Sequence, residues 1–382
     1  MPPFDAHAVI ATLVQAHPLR LHESWRVVRR GAHAVVRPAG GPVAPKRVDP
    51  AGAALLEHLR RTTLLHDALP ARDRVPATLE RVTRMAAALV LDGVLEMRVG
   101  RRFVRGGAAL ADADFREHDG AAARLATAAL RHGCAFASRG TPAVAETLYR
   151  YHTSPRPPWW RSRFPSRRSV AAFLHLDGPE THHVIAHAWR EARGPRSRSV
   201  WRGWEARDAA PHDPRRPQPK VYVSVRPDAL PDAFAITLGT LAAVPGASHV
   251  KVACTVDGPL RPDHLVAYFP DRATLRAVVP ALERDLAGLP ARGVPFAAAL
   301  TPDGMLSWGV DPPRRPTPRD GATSWRAWLA LRLAGFLTAA AACGPSPVAP
   351  HLVALARLPA LGVDPHTWEP SPDLWAPAPS VA

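Results

Sequence analysis

Between residues 220 and 300 the spacing of apolar positions changes period in a regular order. KVYVSV (220–225), HVKVAC (249–254), DHLVAYF (263–269) and VPFAAAL (294–300) have the two-residue period or short apolar run of strands. The stretches 228–244 and 271–289 carry apolar residues at helical spacing instead. The order strand–helix–strand–strand–helix–strand predicts a split βαβ, ferredoxin-like unit: a four-stranded sheet with both helices on one face. Its first and third strands are central, with the second beside the third. Because successive Cβ atoms alternate between faces, Val221, Val223, Val225, Val250, Val252, Leu265, Ala267 and Phe269 meet the helices. Lys220, Tyr222, Ser224, Lys251, His264 and Tyr268 fall on the opposite, uncovered face, a set suited to acid–base chemistry.

The N-terminal part has other periods. Residues 1–24 are helical or loosely ordered, and WRVVRRGAHAVVRP (25–38) is a hairpin-like pair of short strands. In DPAGAALLEHLRR (49–61), Asp49 caps a helix with Pro50 at its first position. TLLHDAL (63–69) predicts a short second helix, and 76–107 a longer one ending near Asp92-Gly93, then a two-stranded wing turning at Gly100. That is a winged-helix pattern. Residues 108–150 are helical, and 171–219 alternate short strands (FLHLD, HHVIAHAW) with a Pro/Arg-rich linker. An apolar helix capped by Ser324 spans 324–343, and the stretch from Gly344 is Pro-rich and irregular. The expected fold class is α+β in four parts: a winged-helix-like domain 1–107, a helical and Arg/Pro-rich connector 108–219, a ferredoxin-like sheet domain 220–343 and a tail 344–382.

Composition narrows the function. At 382 residues and 47% hydrophobic, the chain has material for two or three packed domains, and its 43 prolines cluster in linkers such as 154–165, 211–219 and 311–318. Cys134, Cys254 and Cys343 are far apart, with no disulfide or metal spacing, which fits a reducing cytoplasm. No apolar run is long enough to span a bilayer. Basic residues exceed acidic ones by 49 to 33, a surplus that favours an anionic partner: nucleic acid, phosphate or an acidic peptide. Lysine is rare: only Lys46, Lys220 and Lys251 occur, and two of them lie on the uncovered face. Unlike arginine, a buried lysine can lose its proton near neutral pH. The tract 149–170 sets Arg150, Arg156, Arg161, Arg163, Arg167 and Arg168 among aromatics, either a solvated loop or a phosphate grip. His182, His183 and His187 lack the carboxylate or thiol partners a metal site needs.

Two resemblances follow. Residues 25–107 resemble, in architecture, the leader-peptide recognition elements of pathways that modify ribosomally made peptides, which take the leader as an added strand against a helix. Winged helices also bind DNA or serve as structural supports. Residues 220–337 resemble the HopA-type family, named for a type III secretion effector. Its basic residue followed by a tyrosine-bearing strand and a proline matches Lys220, Tyr222 and Pro227, and its later strand lysine matches Lys251. Arg261, Asp263, Val266 and Tyr268 match its R-x-D-x-x-V-x-Y segment. Gly293-Val294-Pro295, Gly309-Val310-Asp311-Pro312 and Ser324-Trp325 match three further blocks. Ala297 or Ala298 replaces a threonine, and Leu329 stands where the family's closing arginine belongs, with Arg326 and Arg332 beside it.

The resemblance implies a phosphoserine/phosphothreonine lyase of class V lanthipeptide or thioamitide biosynthesis. A kinase-like protein phosphorylates the precursor peptide, and this chain eliminates the phosphate to leave dehydroalanine or dehydrobutyrine. β-Elimination needs a desolvated base, donors to the carbonyl oxygen, an acid and cations. Lys251 or Lys220 is the expected base, His264 the acid, Tyr222 or Tyr268 the group polarising the carbonyl, and Arg261, Arg150 and Arg326 the phosphate cations. No metal or organic cofactor is called for. The alternatives are a non-catalytic peptide-binding partner of the kinase and, least favoured, a nucleic-acid regulator.

Overall fold

The computed structural model describes residues 5–30, 33–40, 43, 45–71, 74–113, 120–192, 199–209, 213, 216–244, 246–312 and 324–375. The turn of the 25–38 hairpin and most of the predicted Pro/Arg linkers at 211–219 and 311–318 lie outside the described residues, as does the side chain of His182. The protein mixes α and β structure and divides into two compact units. One holds 1–117, 127–149 and 329–365, the other 118–126, 150–328 and 366–382.

In the first unit, α1 (Ala6–Ala16) starts on the Asp5 carboxylate, which accepts from the N–H groups of His7 and Ala8. Strands β1 (Leu19–Leu21), β2 (Trp25–Arg30), β3 (His33–Pro38) and β4 (Lys46–Val48) follow, then α2 (Pro50–His58) and α3 (Pro76–Leu91). Asp49 and Pro50 start α2 as expected, Asp49 Oδ1 accepting from Gly52 N–H. Strands β5 (Leu95–Val99) and β6 (Arg102–Val104) turn at Gly100, whose φ of +60° suits glycine. β2, β3 and β4 form one antiparallel sheet with β2 and β4 outermost, while β1, β5 and β6 form another. The second helix expected at 63–69 is a turn: Thr63 pairs with Leu19, and Leu65 and Leu69 drop into the core without a helical run.

Helices α4 (Ala121–Cys134) and α5 (Thr141–Arg150) lead to the second unit. There α6 (Trp160–Arg163) and α7 (Arg167–Phe173) come first; FLHLD, expected as a strand, is the end of α7 and a turn, and α8 (Pro179–Ala188) takes most of HHVIAHAW, also expected as a strand. The local start signals prevail: Ser166 and Ser169 form a reciprocal cap, and Pro179 takes the first turn of α8. Strands β7 (Trp189–Glu191), β8 (Trp201–Ala206) and β9 (Pro219–Val223) precede α9 (Leu230–Ala243). Then come β10 (His249–Ala253), β11 (Leu265–Tyr268), α10 (Arg272–Asp285), β12 (Ala298–Ala299), β13 (Leu306–Val310), α11 (Trp325–Ala342) and α12 (Pro350–Leu355).

The sheet of this unit has seven strands, ordered β12-β13-β9-β11-β10-β8-β7, all neighbours antiparallel. β9 and β11 are neighbours and β10 lies beside β11, as the period-two reading requires. The fourth place, beside β9, goes to β13 rather than to 294–300. Gly293 at φ +90° and Phe296 at φ +63° bend that segment, Pro295 lacks an N–H, and only Ala298 and Ala299 join the ladder. One face of the sheet carries Val221, Val223, Val250, Val252, Leu265 and Ala267 against Phe234, Leu238, Leu275, Val278 and Leu282 of α9 and α10. The stretch from 344 is not irregular throughout, for α12 and the buried Leu358 and Trp368 follow it.

Candidate active site

The opposite face holds the chemistry. Directly opposed residues of an antiparallel pair share a face. One row across the strands is Lys251–Val266–Tyr222–Ser307, and the next is His249–Tyr268–Lys220–Gly309. The structure thus brings Lys220, Lys251, Tyr222 and Tyr268 together. It also covers them, which corrects the expectation of an uncovered surface. Lys220 is 1% exposed and Tyr222 3%, with Val294 and Ala297 packed on the tyrosines. Trp325, at the start of α11, lies so close to Gly309 that a Cβ there would meet its ring at 2.4 Å. Its indole N–H donates to Phe296 O at 2.9 Å.

The two lysines differ in their partners. Lys220 Nζ forms an ion pair with Asp311, whose Oδ1 also accepts from Trp325 N–H at 2.8 Å. Lys251 Nζ has neither hydrogen bond nor ion pair among the described residues. It lies 4.5 Å from the ring centroid of Trp201 and 4.9 Å from that of Tyr268. Burial, then the charge of Lys220, brings its pKa down from 10.5 to about 8. Burial also lowers the pKa of Lys220, against the pull of Asp311.

The Tyr222 hydroxyl is buried with no hydrogen-bond partner among the described residues, and so is Ser307 Oγ opposite it. Burial, then Asp311, pushes the Tyr222 pKa well above the usual phenol value, so the group stays a donor. An unsatisfied buried hydroxyl costs stability, ~1–3 kcal/mol.

His264 is fully buried, and both ring nitrogens meet backbone: Nδ1 donates to Pro259 O at 2.9 Å, and Nε2 faces Val225 N–H at 3.4 Å. Burial lowers its pKa to about 4, which leaves the ring neutral. It is also far from Lys220 along the sheet, though only two residues from Val266, which opposes Lys251. Tyr268 opposes Lys220, whereas His264 lies level with Ser224, four residues along and ~13 Å at strand rise. The ring braces a loop; it has no proton to give at neutral pH.

Arg261 makes a two-point contact with Asp263, at 2.9 and 3.1 Å, and its guanidinium is 5.4 Å from the Trp201 ring. Arg326, 1% exposed, meets the same carboxylate at 2.7 Å and donates to Pro295 O at 3.1 Å. Burial alone would raise the Asp263 pKa, but Arg326 and Arg261 hold it well below the carboxylate range. Losing one partner of such a buried pair costs ~3–5 kcal/mol, so Arg326 belongs to the framework under Arg261. Leu329, in the place of the family's arginine, is fully buried. Arg150 is exposed, at the C-terminal end of α5. The sequence reading gave no role to Asp311, Ser307, Trp201 or Arg292. Asp311 at least stood inside the Gly309–Pro312 block, while nothing local marks Trp201. Among the described residues no group of three or more His, Cys, Asp or Glu is placed to hold a metal ion. Among them, too, no helix is long and apolar enough to cross a membrane.

No protein-family model matches the chain, and no curated protein matches it. Solved structures do. An effector protein from Pseudomonas syringae pv. tomato strain DC3000 is 13% identical, with 64% of this chain and 96% of that one covered at a TM-score of 0.39. The type III effector and phosphothreonine lyase OspF from Shigella flexneri is 13% identical over 37% of this chain and 88% of its own, with a TM-score of 0.28. The phosphothreonine lyase SpvC, an effector from Salmonella, is 16% identical over 43% of this chain and 95% of its own, also at 0.28.

Proposed function

We propose that this chain is a phosphoserine/phosphothreonine lyase acting on a phosphorylated precursor peptide in ribosomal peptide natural-product biosynthesis, in the cytoplasm. One observation carries the reading: a lysine amine, Lys251, unpaired among the described residues and held at a pKa of about 8 beside a second lysine tied to a carboxylate. Neutral Lys251 takes the Cα proton. The C–H electron pair forms the Cα=Cβ bond, the Cβ–O bond breaks, and phosphate leaves with the electrons of the Cβ–O bond. The Tyr222 hydroxyl donates to the carbonyl oxygen as negative charge grows there. Lys220, protonated through Asp311, donates to the departing phosphate oxygen in the role first expected of His264. Arg261 holds the phosphate.

A peptide partner has support of its own in the first unit. A cavity of about 320 Å³ runs between β4 and one face of α3, lined by apolar Val82, Met85 and Leu89, by Lys46, Arg47 and Arg81, and by Asp49 and Asp92, which pair with Arg81 and Lys46. β4 is one of the two outer strands of its sheet, and an extended peptide adds to such an edge through backbone hydrogen bonds. The leader of the precursor suits this groove through its backbone and its apolar side chains. A kinase-like protein of the same pathway supplies the phosphorylated residue.

The test is a synthetic phosphothreonine or phosphoserine peptide incubated with the chain and followed by mass. Loss of phosphoric acid with a dehydro residue left behind is expected. A peptide that binds and keeps its phosphate would make the chain a non-catalytic partner of the kinase.

A further inference from the structure

We propose that Arg292 is a positioning residue for phosphate capture, acting through Arg261 by pinning the loop that carries it; this rests on the lyase reading. The loop between β10 and β11 has no ladder of its own, and its shape is set by donors aimed at successive carbonyl oxygens. His264 Nδ1 takes Pro259 O at 2.9 Å. Arg292 Nη1 donates to Leu260 O at 2.9 Å and to Arg261 O at 3.4 Å, and Ser154 N–H adds to Leu260 O at 2.9 Å. Arg292 Nη2 donates to His152 O, and the His152 ring returns a bond to Arg292 O at 3.1 Å. The backbone N–H of Arg292 donates to Ser224 O at 3.0 Å, anchoring it beside the central strand β9.

The guanidinium therefore faces backbone oxygens, not a ligand, although it lies beside the candidate site. With Leu260 O and Arg261 O held from one side, the Arg261 side chain is turned to Asp263 and Trp201, within reach of Lys251. Gripping phosphate productively needs its cation placed within ~0.5 Å. Only the rigid, planar fork of arginine serves several carbonyls in fixed directions; a lysine at 292 has one rotating ammonium.

The experiment is a double-mutant cycle on phosphopeptide turnover with Arg261→Ala and Arg292→Ala. Arg292→Ala is expected to raise KM about 10-fold or more, with kcat within about 3-fold and the pH dependence of kcat unmoved. In the Arg261→Ala background the same change is expected to add almost nothing. Arg292→Gln, whose amide reaches one carbonyl, serves if the alanine variant does not fold and should show a smaller KM effect of the same kind. Losses that multiply, or a fall in kcat at constant KM, overturn the assignment while wild-type turnover leaves the lyase reading intact. Absence of turnover by the wild type removes both.

Discussion

Lys251 and Lys220 approach the same aromatic ring, their amines 4.9 and 5.5 Å from the Tyr268 centroid, yet among the described residues only Lys220 has a carboxylate partner. That asymmetry divides the work. Asp311 gives Lys220 a counter-ion and pulls its pKa up against burial, while the charge of Lys220 disfavours a proton on Lys251, which has no carboxylate partner among the described residues. Two equivalent lysines would split the same proton and serve neither role well.

Lys251→Arg tests the division without removing charge. The guanidinium stays protonated across the working pH range and cannot act as base. Elimination should fall by about 10²–10⁴-fold, while binding of the phosphopeptide, measured by anisotropy, stays within a few-fold. Turnover close to wild type would take Lys251 out of the reaction.

The pH dependence identifies the neighbour. With Lys251 at about 8, kcat/KM for the free enzyme should rise with pH through that value as the amine becomes neutral. Lys220 lowers the Lys251 pKa, and its removal also leaves Asp311 unneutralised, which raises it; both effects have one sign. Lys220→Met should therefore move the rising limb to higher pH, on top of a lower plateau from the lost acid. A limb that stays in place would uncouple the two amines.

Tyr222→Phe separates function from stability. The hydroxyl has no hydrogen-bond partner among the described residues, so its loss is expected to leave the thermal midpoint unchanged or raised. Losing a donor to a developing oxyanion costs about 10²–10³-fold in kcat. A lower midpoint with unchanged kcat would mean that the hydroxyl is bonded in solution and is structural.

Residue parity put Lys220, Tyr222, Lys251 and Tyr268 on one face from sequence, because a strand's alternation is a local property and a buried helix-facing side enforces it. What covers that face is not local. Asp311 reaches Lys220 across 91 positions, and Trp325 and Arg326 arrive from the start of a helix whose apolar pattern looks the same on every side. LSWGV (306–310) has the same alternation as the other strands and takes the place beside β9, while Gly293, Pro295 and Phe296 bend VPFAAAL away from it. Parity placed His264 correctly by face and misled about its role, since the ring's partners are the backbone of residues 259 and 225.

Buried imidazoles should dominate the stability of the protein between pH 7 and 4. His264, His249 and His7 are each lowered by burial from 6.5 to about 4. In that interval the unfolded chain binds protons that the folded chain does not, so these groups contribute fully above about 6.5, and the contribution is lost as pH falls towards about 4. At pH 5 unfolding should take up roughly two to three protons at these sites, and the unfolding free energy in urea should drop steadily from pH 7 to 4.5. His264→Gln keeps one polar contact to the loop and removes one titrating group, so its curve should start lower at pH 7 and fall less steeply. A slope equal to wild type, or stability that rises on acidification, would show that the His264 ring is already protonated in the fold and would return it to the list of candidate acids.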